Sequence, residues 1–341
     1  MNSGLLPDRH PQGDFFVCDI FSAHPKDDLA SMEHPLFSLS TRPDLRVLSY
    51  AHNGAEVVVT PSVRGLATIH DKDILIYCIS QLVAALNAGR DVSRCLRLRA
   101  HDLLVATNRD TSGDAYRRLR EAFERLAGTR ITTNIVTGEV ETTRGFGMIE
   151  EWEILRHTRG GRMISVSVTL SDWLYRAVLA RSVLTLSRDY FRLRKPLERR
   201  IYELARKHCG RQSEWFVSMA VLHKKSGAAS PLRVFRKMLR DMAAQNHLPG
   251  YELRIDEAQD MLHVAARRAG HKDGKADAVF MSGLPPLDAA TLGKARSHAP
   301  GWDVHALEAE WRAHWLSTGR PHLRSPGAAF IGWVRKRVSS G

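Results

Sequence analysis

Cysteine is scarce in this 341-residue chain: Cys18, Cys78, Cys95 and Cys209 lie far apart, with no C-x-x-C spacing. That excludes a disulfide framework and a zinc ribbon, and leaves reduced, mostly buried thiols. Sixteen histidines form no H-x-H or H-E-x-x-H pattern, and no Gly-rich phosphate loop is present. The cluster "HDKD" (70–73) reads as a helix start, with Asp71 as cap and Asp73 in the first turn. Long apolar runs are missing too. The longest, "ILIYCISQLVAAL" (74–86), is interrupted by Ser80 and Gln81 and is too short to span a bilayer. "MNSGLLPDRHPQGD" has no apolar segment behind a basic start, so no signal peptide is expected and the chain is read as cytoplasmic. Acidic residues are short in number: 37 against 50 basic ones, for a net charge of +13. Such a balance favours polyanions, nucleic acid or an anionic membrane surface, and the short, interrupted apolar runs make the membrane reading the weaker of the two. No metal or cofactor site and no catalytic constellation is left to argue, so a non-enzymatic protein is expected.

What is present has an order. Residues 1–66 read as an N-terminal arm with a β-hairpin, "LRVLSYAHNGAEVVVTP", turning at Asn53-Gly54. A core helix follows from Asp71 to Leu86, then a short strand in "VSRCLRLRA" (92–100), a short helix in "AHDLLVATN" (100–108) and a second in "TSGDAYRRLREAFERLAG" (111–128), stopped by Gly128. Three strands with two Gly-bearing turns come next, in "TRITTNIV", "FGMIEEWEILRHT" and "RMISVSVTL". The order repeats after residue 188: the helix "LERRIYELARKHCG", the strand "EWFVSM", the helices "MAVLHKKSG" and "SPLRVFRKMLRDMAAQ", and the strand pair "YELRIDE" and "MLHVAARR". Helix, strand, two helices and a hairpin is the plan of a helix-turn-helix with a β-wing. An α+β chain with tandem winged-helix domains is therefore expected: a first at 67–187, serving DNA binding and dimerisation, a second at 188–272, and a linker with a small helical tail at 273–341.

The second candidate recognition helix separates its faces cleanly. At about 100° per residue, Val234, Phe235, Met238, Leu239 and Met242 share one side, and Arg233, Arg236, Lys237 and Arg240 the other. Ser230 and Pro231 read as its N-cap and first position. Arginine and lysine on an outward face suit phosphate oxygens and the guanine O6/N7 edge, and Lys224 and Lys225 from the preceding helix join that set. The first candidate helix places Arg117, Arg118, Arg120 and Arg125 outside its apolar stripe of Tyr116, Leu119, Ala122, Phe123 and Leu126, but Glu121 and Glu124 interrupt the charge. DNA contact and a structural or dimer role both fit it. Residues 188–211 carry nine Lys or Arg against three acids, a net +6. In that stretch Leu197, Ile201, Leu204, Ala205 and His208 make the buried stripe. Arg192, Arg194, Lys195, Arg199 and Arg206 are expected to neutralise phosphates without reading sequence. Arg144, Arg159, Arg162, Arg254, Arg267 and Arg268 flank the wings, where they suit a minor groove or a plain Gly turn equally.

Several blocks together resemble a known family. "DRHPQGDFFVCDIF", "KDDLASMEHPLFSLST", "VTPSVRGLATIHDKDILIYCISQL" and "LSRDYFRLRKPLERRIYELARKHCG" are similar to the plasmid replication initiator protein A (RepA-like) family of proteobacteria, in order over roughly residues 8–245. The resemblance implies tandem winged helices that bind direct repeats (iterons) at the plasmid's own origin, open an AT-rich segment, and recruit the host initiator and the replicative helicase. It also implies dimerisation through the first domain and repression of the protein's own promoter.

The tail, "APGWDVHALEAEWRAHWLSTGRPHLRSPGAAFIGWVRKRV", is similar to a C-terminal segment of some primosomal and helicase-loading proteins and holds four of the seven tryptophans. Spaced Trp among Arg fits base stacking on single strands. A helical hairpin using Trp311 and Trp315 as its own core fits as well. The reading is thus a sequence-specific double-stranded DNA-binding initiator. The alternatives are a winged-helix transcriptional regulator without an initiation role, marked by a single inverted repeat, and a scaffold whose charge is incidental.

Overall fold

The computed structural model describes residues 5–7, 15–18, 35–52, 55–137, 140–156, 163–179, 183–209, 214–267, 287, 289–299, 304–318, 323 and 325–339. The first unit is built on α1 (Lys72–Asn87), β4 (Cys95–Leu98), α2 (Ala100–Ala106) and α3 (Gly113–Gly128). Its sheet runs β4-β8-β7, with β7 (Ile149–Arg156) and β8 (Met163–Leu170) forming the closing hairpin. The second unit repeats that plan with α5 (Pro196–His208), β10 (Glu214–Ser218), α6 (Met219–Ser226), α7 (Leu232–Gln245), β11 (Tyr251–Asp256) and β12 (Met261–Ala266), in sheet order β10-β12-β11. In both units the strand after the first helix pairs antiparallel with the last strand, so the hairpin lies beside the helix pair.

Two features depart from the sequence reading. The segment after α3 holds four strands, not three, because "FGMIEEWEILR" breaks at Met148. β5 (Arg130–Thr137) and β6 (Val140–Gly147) leave the unit's own sheet and join the N-terminal hairpin, β2 (Leu48–His52) and β3 (Ala55–Thr60), in a four-stranded sheet ordered β2-β3-β5-β6. At the break Met148 is fully buried, and a Cβ on Gly147 would stand 3.1 Å from the Ile149 carbonyl, so a close turn is favoured there. The hairpin is accordingly no loose arm. Val57 and Val59 alternate into the same core as α1 and α3, and the Asn53-Gly54 turn lies outside the described residues. The second departure is the connection between units. It folds as α4 (Asp172–Leu179), β9 (Val183–Leu186), which pairs with β1 (Phe15–Cys18), and a 3-10 turn over Arg188–Arg192.

One continuous apolar core runs through both units and includes Leu186, Tyr190, Phe191 and Leu193 of that connection. The end of α3 comes so close to the bend after β3 that a Cβ at Gly128 would lie 2.4 Å from the Ser62 Cβ. Gly128 thus serves close approach as well as the helix end. A separate small core joins α8 (Ala289–His298), α9 (Val304–Ser317) and α10 (Pro326–Ser339) through Leu292, Leu307, Trp311, Phe330 and Val334. Among the described residues no helix is long and apolar enough to cross a membrane.

Candidate nucleic-acid interface

α7 forms where the sequence places it, but its start differs. Pro231 occupies the cap position with an extended ψ of 146°, and Ser230 offers its carbonyl to the His223 ring at 2.7 Å instead of capping with its hydroxyl. Phe235, Leu239 and Met242 bury one stripe against the unit. Arg233, Lys237 and Arg240, spaced four and three residues apart, are exposed along the opposite side with Val234 beside them.

The four cations of that helix divide into two kinds. Arg236 donates from Nε to Asp260 Oδ1 at 2.7 Å and from Nη2 to the other carboxylate oxygen. Arg240 donates in the same fashion to Glu257, at 2.7 and 2.8 Å. Both acids stand in the turn between β11 and β12, and the arginines hold their carboxyls below the ordinary range by hydrogen bonding. Arg233 and Lys237 make no such bond, and neither do Lys224 on α6 and Arg194 before α5; all four are exposed.

The other predicted contacts fall elsewhere. On α3, Arg117 and Arg118 pair with Asp114, Arg117 also reaches Glu121 at 2.8 Å, and Arg120 reaches Glu124 at 3.1 Å. These cations are exposed but spoken for along their own helix. Arg125 leaves the set altogether, bound by two hydrogen bonds to Asp71. Asp71 therefore serves Arg125 and the Thr68 amide, and its side chain does not cap α1. Arg192 holds the Leu6 carbonyl at 2.7 Å and Asp189 at 2.8 Å, while Lys195 stays mostly exposed beside Glu198.

Arg199, Arg206 and Lys225 are buried, which corrects the expectation that they face phosphates. Arg199 shows why. Its guanidinium donates to Asp73 at 2.6 Å, to the Leu193 carbonyl at 2.9 Å and to the Phe191 carbonyl at 3.3 Å, and lies 5.1 Å from the Tyr190 ring. Arg109 reaches the second Asp73 oxygen at 3.0 Å. Next to this group Lys72 pairs with Glu203 at 2.8 Å, and Tyr190 donates to the same carboxylate at 2.8 Å. Burial alone would raise the Asp73 and Glu203 carboxyls. The cations beside them outweigh it and hold both below the ordinary range. Arg199 and Glu203 of α5 thus form a charged lock with Asp73 and Lys72 of α1, joining the second unit to the first.

The wing arginines give no consistent interface. Arg144 lies on β6, away from the β7–β8 hairpin; Arg254 pairs with Glu252, and Arg267 donates to the Tyr251 carbonyl. Arg159, Arg162 and Arg268 lie outside the described residues. His208 is packed, stacked on Trp215 with ring centres 4.3 Å apart. Cys78 and Cys209 are buried, with thiols pushed up to about 12 by burial, whereas Cys95 is exposed. In the tail Trp311 stands in the small core 5.4 Å from Phe330, closed to a base, and Trp302 lies outside the described residues.

Comparison with known proteins supplies the family. A sequence-family model described as Replication initiator protein A matches residues 26–253, which take in both repeated units up to β11. The chain belongs to the replication initiator protein A family. A protein of Wigglesworthia glossinidia brevipalpis, provisionally named a replication protein, is 36% identical over 258 residues, covering 74% of this chain and 94% of its own. Two structures of domains 2 and 3 of RctB superpose with TM-scores of 0.54 and 0.51. The first covers 70% of this chain and 97% of its own, the second 69% and 96%, each at 15% identity. At that identity the likeness concerns the fold alone, a two-unit α+β arrangement shared over nearly the whole of the RctB fragment.

Proposed function

We propose that this initiator is a non-enzymatic, cytoplasmic protein that binds double-stranded direct repeats at its plasmid's origin. In this reading each repeated unit is a winged-helix module, and α7 of the second enters the major groove. The observation that carries it is the outward face of α7, where Arg233 and Lys237 stand exposed and unpaired one helical turn apart on a helix whose other face is core. Lys224 and Arg194 extend the same supply of free charge. Helix α3 contributes less, because its arginines already hold Asp114, Glu121 and Glu124. A dimer formed through the first unit, promoter repression, and recruitment of the host initiator and the replicative helicase complete the proposal. The lock between α1 and α5 supports it by holding the two modules at one spacing, as adjacent contacts along a duplex require.

The test is a salt titration of binding to origin DNA. The double variant Arg233→Ala, Lys237→Ala should weaken binding and lower the slope of log K against log salt by about 2, at about 0.9 per lost phosphate contact. An unchanged slope and affinity would remove α7 from the interface.

A further inference from the structure

The two arginines of α7 that are paired are bound in a particular way. The β11–β12 turn that carries their acids is itself fixed. The Asp260 carbonyl accepts from the Met219 amide at 2.9 Å, Asp256 accepts from the Gln259 amide at 3.0 Å, and Asp260 takes a left-handed φ of 53°. From that turn Asp260 and Glu257 each grip a guanidinium side-on, through Nε and Nη2. A guanidinium has five N–H donors. Side-on binding uses two and leaves the end-on edge, where Nη1 and Nη2 each keep a hydrogen. Those two parallel donors match the O6 and N7 acceptors of guanine in the major groove. An arginine held in this way has already lost the rotamer freedom that binding would otherwise have to remove.

We propose that Asp260 and Glu257 are positioning residues for base reading, presenting Arg236 and Arg240 end-on to guanines while Arg233 and Lys237 meet phosphates. The inference rests on the placement of α7 in the major groove and deepens it, naming which cations carry specificity. It also gives the acids a second effect. A carboxylate beside the phosphate backbone weakens binding to any duplex, so affinity is conceded where the bases are wrong and regained where two guanines complete the pairs.

The experiment compares the full chain with the variant Glu257→Gln, Asp260→Asn, which keeps side-chain shape and leaves a residue type that tolerates left-handed φ at 260. Binding is measured to a duplex carrying the origin repeat, to a scrambled duplex, and to the repeat with 7-deazaguanine, which lacks N7. Wild type should favour the repeat and lose about ten-fold for each read guanine replaced. The variant should bind the scrambled duplex as well as or better than wild type, discriminate about ten-fold less per uncoupled arginine, and lose little on 7-deazaguanine substitution. If both duplexes gain equally and the deazaguanine penalty persists, the acids merely compete with DNA and the positioning role is overturned. A wild type that does not distinguish repeat from scrambled duplex would overturn the major-groove reading itself, and this inference with it.

Discussion

Asp73 and Arg199 are separated by 126 positions and meet at 2.6 Å in the core. Two consequences follow at the scale of single residues. Arg199→Ala leaves a buried carboxylate with Arg109 alone, and removing one member of such a pair costs about 3 kcal/mol or more. Chemical denaturation should show that loss, while the salt slope of DNA binding in the folded variant stays at the wild-type value. A reduced slope with unaltered stability would restore Arg199 to the interface. His70 beside the lock makes the fold sensitive to acid. Burial, together with the Arg199 charge, pushes its imidazole down to about 4. Its folded value lies below its unfolded one, so its contribution is complete above about pH 6.5 and is lost as pH falls towards 4, on the order of 3 kcal/mol at the end. Replacing it in His70→Gln should flatten the urea midpoint between pH 6.5 and 4.5 relative to wild type. Parallel curves would mean that His70 takes up its proton in the folded state at its ordinary value.

At the scale of elements, legibility followed range. The two faces of α7 were plain in the spacing of Leu239, Met242 and their neighbours against Arg233 and Lys237, because a helix that packs on one side obeys one local period. Each later strand carried its own alternation, so the hairpin of the second unit was legible as well. Hidden from the sequence were pairings at a distance. The acids of the +6 stretch are three, so its charge looked unbalanced; Asp73 and the Lys225 carbonyl, which hold Arg199 and Arg200, come from other elements. Likewise Asp260 and Glu257 lie 24 and 17 positions beyond the arginines they hold. The break at Met148 escaped because "FGMIEEWEILR" has no turn residue beyond Gly147, and only a second sheet, supplied by β2 and β3, makes the crossing favourable. Ser230 followed the usual capping preference, but its carbonyl is engaged by His223 and Pro231 takes the cap.

For the whole molecule, the plan of helix, strand, two helices and hairpin occurs twice, and one apolar core and one buried charge lock join the two units. In the proposed binding such a joint would serve contact with neighbouring segments of one duplex, since the entropy of aligning the two units would be met during folding and not again on binding. The small helical unit within 289–339 has its own core around Trp311 and Phe330, with Trp333 packed against it, so these two tryptophans are first of all structural there. Removing residues 287–341 should leave origin binding and the stability of the two main units unchanged. A fall in repeat affinity on truncation would bring the tail into the DNA interface.

The most direct measurement is a footprint of the full-length protein on the DNA flanking its own gene, at physiological salt and with competitor DNA. Protection of several tandem direct repeats spaced by nearly whole helical turns is expected, weakened in the Arg233→Ala, Lys237→Ala variant. Protection of one inverted repeat over a promoter, with no tandem array, would contradict an initiator and indicate a regulator.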